Sequence, residues 1–270
     1  MRATLWRAVG ALTGGVGGVA AGIVIHKAFD ASPGWVVIAV VGLIVVSVVL
    51  YLVARTRHDP AAAAGQFMPG LLLGFTTGIN AVLLEAIVGL VPALIICAIP
   101  LLAVIEPLAS SDVFQAPLGW VNLLLPMSWP ILAVGLVLLV LTGLLALVNL
   151  LLRTDFLKVR KLNVDAKTGT LVVDGGFGGN INLNQHSDGY NVGIAYLRSG
   201  HSTDYLREHE SGHTLNLAIF GWVVHLIGAF DENVFGGGVS AYTELFAESN
   251  VPSTYPEHTG RPIFPMWVDA

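Results

Sequence analysis

The stretch YLREHESGHTLNLAIFGWVVHLIGAF, residues 205–230, begins charged and ends apolar. Its first part holds His209, Glu210 and His213 in the order H-E-x-x-H, and its second part, 215–230, is nearly free of charge. Whether this segment crosses lipid or sits inside a protein core decides the fold. A membrane span needs about 20 predominantly apolar residues, and this run offers about sixteen behind the charged DYLREHE. The expectation is therefore a buried core helix starting near Ser202 or Asp204, either of which suits an N-cap.

The rest of the chain is less ambiguous. Of its 270 residues 54% are hydrophobic and only 11% charged, with a mean hydropathy of +0.74. Soluble domains carry roughly 25% charged residues, so lipid is the expected main solvent. A net charge of -5 leaves no basic footprint for nucleic acid. The single cysteine, Cys97, lies in an apolar stretch and reads as a small hydrophobe.

Charge divides the chain in two. Between His58 and Leu152 there is no lysine or arginine, and only Asp59, Glu85, Glu106 and Asp112 are acidic. From Arg153 onward charged residues return at ordinary density. The boundary expected near 153 separates a transmembrane helical domain, 1–153, from a water-facing domain, 154–270. Four spans are expected in the first, at 8–25, 35–54, 86–105 and 130–152. The glycine-rich first span suits close packing against another helix. A second span follows it directly, which disfavours a cleaved signal peptide.

Residues 69–84, with Asn80 and Pro69, are expected as a re-entrant or interfacial helix, and Glu85 as a solvated residue at the headgroup level rather than a proton carrier. Arg2 and Arg7 precede the first span, Arg55 and Arg57 follow the second, and Arg153, Lys158, Arg160 and Lys161 follow the fourth. Four spans put all of these on one side, whereas a fifth would scatter them. Both termini, and with them the C-terminal domain, are expected in the cytoplasm of a bacterial inner membrane protein.

After 153 the alternation of 158–164, the AKTG turn and TLVV read as a β-hairpin. GNINLNQHSDGYNVGIAYL adds two short strands with SDG as their turn, giving a sheet of three or four strands ahead of the helix. On that helix His209 and His213 stand four residues apart and share a face, so both can direct a ring nitrogen at one metal ion about 2 Å away. Glu210 is turned by about 100°, beside the site, where it can take a proton from a water. Ile219 occupies the place of the third histidine in the longer H-E-x-x-H-x-x-G-x-x-H pattern and excludes it. On a continuous helix His225 would lie about 18 Å from His213, a packing residue rather than a ligand. Asp231 and Glu232 read as turn residues. The third ligand is sought in SAYTELFAESN, where Glu244 and Glu248 are one turn apart after the FGGG linker.

H-E-x-x-H followed on a later helix by a glutamate and a further acid resembles the gluzincin branch of zinc metallopeptidases. The resemblance implies that His209, His213 and Glu244 bind Zn2+, that Glu210 is the general base, and that Glu248 orients one histidine. It also implies a strand beside the cleft that aligns a peptide substrate. HESGHTLN and AYTELFAESN are similar to bacterial multi-span membrane proteins pairing HExGHT with YTE. The resemblance covers about 157–250. Glu248 stands where an aspartate is usual, and Tyr242 and His258 are the residues available to face a reacting carbonyl. The expected activity is hydrolysis of a peptide or protein substrate by a membrane-anchored enzyme. The alternatives are a non-catalytic accessory or scaffold subunit of a larger membrane protein complex and, less favoured by the short apolar run of 215–230, an intramembrane protease or transporter. The tail, 251–270, reads as an extended segment without chemistry.

Overall fold

Glycine at every fourth position decides how the first helices meet. In the computed structural model, which describes residues 2–56, 63–105, 111–166, 168–181, 189–199, 204–234, 243–244 and 247, α1 (Arg2–Ala31) runs along α3 (Ala63–Val88). A Cβ added at Gly14 would fall on the Leu71 carbonyl and 2.8 Å from the Phe75 nitrogen. One added at Gly74 would fall on the carbonyl of Ala11, 2.8 Å from its Cα. Gly10, Gly18, Gly70 and Gly78 make the same kind of approach. Lipid supplies no hydrophobic drive for such pairing, so close backbone contact through small residues takes its place. The neighbour expected for the glycine-rich helix is thus α3.

Four helices long and apolar enough to cross a membrane run without a sharp fold: Thr4–Ala31, Pro33–Thr56 in α2, Gly65–Val88 in α3, and Pro126–Leu152, which includes α6 (Trp129–Leu152). α2 and α6 leave most of their valines, isoleucines and leucines exposed, as helices facing lipid do. The third span differs from the expectation. Residues 69–84 belong to the full-length α3, and 86–105 is not one helix. It is interrupted at Gly89, whose φ of 84° and ψ of 167° are open essentially to glycine alone. Beyond it α4 (Leu90–Leu101) is too short to cross. Pro69 is carried inside α3, and Pro92 falls in the first turn of α4, where its missing N–H costs nothing. Glu85 is exposed in the last turn of α3. Cys97 on α4 is buried.

After α5 (Asp112–Val121) and α6 comes a four-stranded sheet in the order β1-β2-β4-β3. β1 (Val159–Asp165) and β2 (Thr170–Gly175) form the expected antiparallel hairpin. β2 runs parallel to β4 (Ala195–Arg198), and β3 (Gly189–Val192) pairs antiparallel with β4 at the edge. The two-residue turn between β3 and β4 is at Gly193 and Ile194, with Gly193 at φ 83°. Ser187 and Asp188 lie outside the described residues. A short α7 (Gly176–Asn180) follows β2. Val173, Val192, Ala195 and Leu197 of the sheet pack on Leu138 and Leu139 of α6.

The last element, α8 (Asp204–Asn233), carries H-E-x-x-H. It is buried as expected, but not in a core of its own. Leu215, Ala218, Phe220 and Val224 share one apolar core with Tyr51 of α2, Leu72 of α3, Cys97 of α4 and Leu118 of α5. The sequence boundary near 153 therefore does not separate this helix from the helices before it.

Candidate metal centre

α8 is two helical pieces joined at Gly221, where φ is 72° and ψ 178°. This is the same glycine-only conformation as at Gly89. Its consequence is large. His213 and His225, about 18 Å apart on a continuous helix, have ring centroids 6.0 Å apart. The segment containing Thr243, Glu244 and Ala247 packs on both pieces at once. A Cβ on Gly212 would lie 2.8 Å from the Cα of Ala247, and one on Gly228 would run into the side chain of Thr243. The Asn216 amide also donates to the Thr243 carbonyl at 3.1 Å. The window His209–Glu232 is long and apolar enough to count as a fifth span by length and composition. The fold at Gly221 brings its two ends toward one another.

Two contacts fix the fold in depth. The Thr76 hydroxyl of α3 donates to the Phe220 carbonyl, next to the break, at 2.9 Å. At the far end, buried Asp231 accepts from the Tyr51 hydroxyl at 2.6 Å and pairs with Arg55 at 2.8 Å. Asp231 and Glu232 are thus helical residues, not turn residues, and Asp231 ties α8 to α2.

The geometry brings three of the expected site residues together. His209 and His213 place their Nε2 atoms 3.2 Å apart. The two carboxylate oxygens of Glu244 lie 3.0 Å from His209 Nε2 and 3.3 Å from His213 Nε2. One donor atom from each residue falls within a 4.8 Å group, all of them nearly buried. A tetrahedral ion with bonds of 2.0–2.1 Å holds its ligands about 3.3 Å from one another. The spacing matches, and two nitrogens and a carboxylate with no thiolate suit a borderline ion such as zinc, so the residues fit a metal. Burial disfavours the charged form of Glu244. The facing imidazoles of His213 and His209 outweigh it and hold the carboxyl well below the usual carboxylate range.

Glu210 is buried next to the trio, and the backbone N–H of Asn191 on β3 faces its carboxylate. The Asn191 carbonyl accepts from His225. The Asn191 amide bonds to the Glu210 carbonyl at 2.7 Å and to Thr214 Oγ1 at 3.0 Å. Thr214 is held in turn by Thr170 Oγ1 at 3.0 Å and donates to the Gly193 carbonyl at 2.9 Å. The strand beside the site is β3, and its Asn191 neighbours both Glu210 and His225. Glu248, Tyr242 and His258 lie outside the described residues. Sequence reasoning missed Asn191 and set His225 aside. The only available signal for His225 was Gly221, a glycine inside an otherwise unbroken apolar helix.

Fold and site together define a helical protein suited to a bilayer, with a small mixed sheet and a buried centre of two histidines and a glutamate. No family model matches the chain, and neither a curated protein nor a solved structure matches it.

Proposed function

We propose that the chain is a membrane-anchored zinc metallopeptidase of gluzincin type. The convergence of His209, His213 and Glu244 with Glu210 alongside is the observation that carries this reading. His209, His213 and Glu244 would hold the zinc, which would supply an acidified water and polarise a carbonyl. The chain's own residues then divide the work. Glu210 accepts a proton from the water as its oxygen joins the carbonyl carbon. It returns that proton to the amine nitrogen as the C–N bond breaks. Asn191 holds the Glu210 carboxylate in place through its N–H, and the Glu244 carboxylate would offset the charge of the metal that it holds with the two neutral imidazoles. The basic residues gathered at the ends of the spans support a bacterial inner-membrane protein whose sheet lies toward the cytoplasmic side.

The test is the purified full chain in detergent with a diverse peptide library, with and without chelator. His209→Ala, His213→Ala and Glu244→Ala are each expected to lower zinc stoichiometry sharply. Glu210→Gln is expected to keep the metal and lose about 10²–10⁴-fold in cleavage rate. Full zinc binding with no chelator-sensitive cleavage in the wild type would overturn the enzyme reading in favour of a scaffold subunit.

A further inference from the structure

We infer that the substrate of this site is a polypeptide segment inserted in the membrane, cleaved within its apolar stretch. This rests on the hydrolase reading above and adds where the peptide bond is met.

Two spans serve as rulers. Thr76 stands at the middle of the span Gly65–Val88, and its hydroxyl holds Phe220. His213 is seven residues before Phe220, and His225 is five after it. At 1.5 Å per residue neither is more than about 10 Å along its helix from that level. The contact of Asp231 with Tyr51 and Arg55, near the end of α2, shows that the second piece of α8 runs along the span rather than out of it.

The second ruler is α6. Thr214, the residue after His213, donates to the Gly193 carbonyl, and a Cβ on Gly193 would lie 3.5 Å from the Cα of Leu132. Leu132 is seven residues from the middle of Pro126–Leu152, again about 10 Å. The apolar layer is about 30 Å thick, so its half-thickness of about 15 Å contains the site on either ruler.

The surroundings agree with that depth. Leu226, next to His225, is 37% exposed and Phe230 is 54% exposed, on the very helix that carries part of the site. Irregular backbone at membrane depth persists only where protein or a polar cavity satisfies it. The Gly193 carbonyl at the end of β3 is met in this way by the Thr214 hydroxyl. A segment already in the bilayer reaches such a site without leaving lipid. A soluble peptide would first have to shed the hydration of its backbone, at a cost of several kcal/mol for each polar group left unpaired.

The experiment uses the zinc-loaded full chain in liposomes with three polypeptides. One carries a single 20-residue apolar span between soluble tags, one has that span rewritten in serine and asparagine, and one is unfolded casein. Chelator-sensitive cleavage mapped by mass spectrometry inside the apolar span, with the other two spared at least tenfold, is the expected result. Cleavage confined to the tags, the rewritten segment or casein would overturn the inference and leave the hydrolase intact. No cleavage of any substrate would overturn both. A readout independent of activity is a nitroxide on Leu226→Cys in a Cys97→Ala background. Collisions with oxygen are expected to exceed those with a water-soluble nickel chelate several-fold. The reverse ratio would place the site in water and end the proposal.

Discussion

Gly89 and Gly221 have nearly the same backbone, φ 84° and ψ 167° against φ 72° and ψ 178°, and each breaks a helix. Their surroundings are opposite. Nothing lies within 4 Å of a Cβ built on Gly89, and its neighbours Ile87, Val88, Leu90 and Val91 are exposed. A Cβ on Gly221 would lie 3.1 Å from Met127 Cβ and 3.2 Å from Thr76 Cγ2. One break ends a span at the edge of the structure. The other folds a buried helix and brings His225 back to His213. The backbone conformation alone does not distinguish a terminus from a site, and the packing around it does.

Gly221→Val breaks the comparison most severely. A side chain in this region of φ and ψ costs about 1–3 kcal/mol, and overpacking against Met127 and Thr76 adds about 1–3 kcal/mol. The expected outcome is a lowered melting midpoint together with weakened zinc binding, because Glu244 is held by packing on both arms of the fold. Gly89→Ala comes next, with about 1–3 kcal/mol of strain and no collision. It should lower stability by thermal unfolding in detergent while zinc stoichiometry stays at the wild-type level. Equal loss of zinc in both variants would show that the packing around Gly221 does not set it apart.

The two breaks also mark how far the sequence could be read. Gly10, Gly14 and Gly18 repeat every fourth residue, so close packing of α1 was legible, although its partner was not. His209 and His213 were legible for the same reason, since a helix fixes the relation of residues four apart. The β1–β2 hairpin followed from its alternation. The third span was misplaced because 63–105 is apolar almost throughout, and a single glycine conformation decides where one helix ends. His225 was set aside by a correct calculation on the wrong object. Twelve residues measure a long distance only while the helix continues, and nothing periodic announces a fold at one residue. Asn191 belongs to a strand whose neighbour is a helix in a later part of the chain. That pairing is a tertiary contact with no local signature.

The smallest expected effect sharpens the account of why Gly221 folds where it does. From the middle of α3 the Thr76 hydroxyl donates to the carbonyl of Phe220, the residue just before the break. Thr76→Val keeps shape and volume and removes that donor. A single hydrogen bond of this kind contributes about 0.5–1.5 kcal/mol net. The fold itself is still required by Gly221, Met127 and the Asp231 anchor, so Thr76→Val should loosen it rather than unfold it. The measurement is amide hydrogen exchange of residues 220–224. Protection there is expected to fall by about tenfold, the equivalent of about 1.4 kcal/mol, while α1 and α3 exchange as in the wild type. Unchanged protection would mean that the contact follows the fold rather than helping to fix it, and that glycine and packing alone set the break.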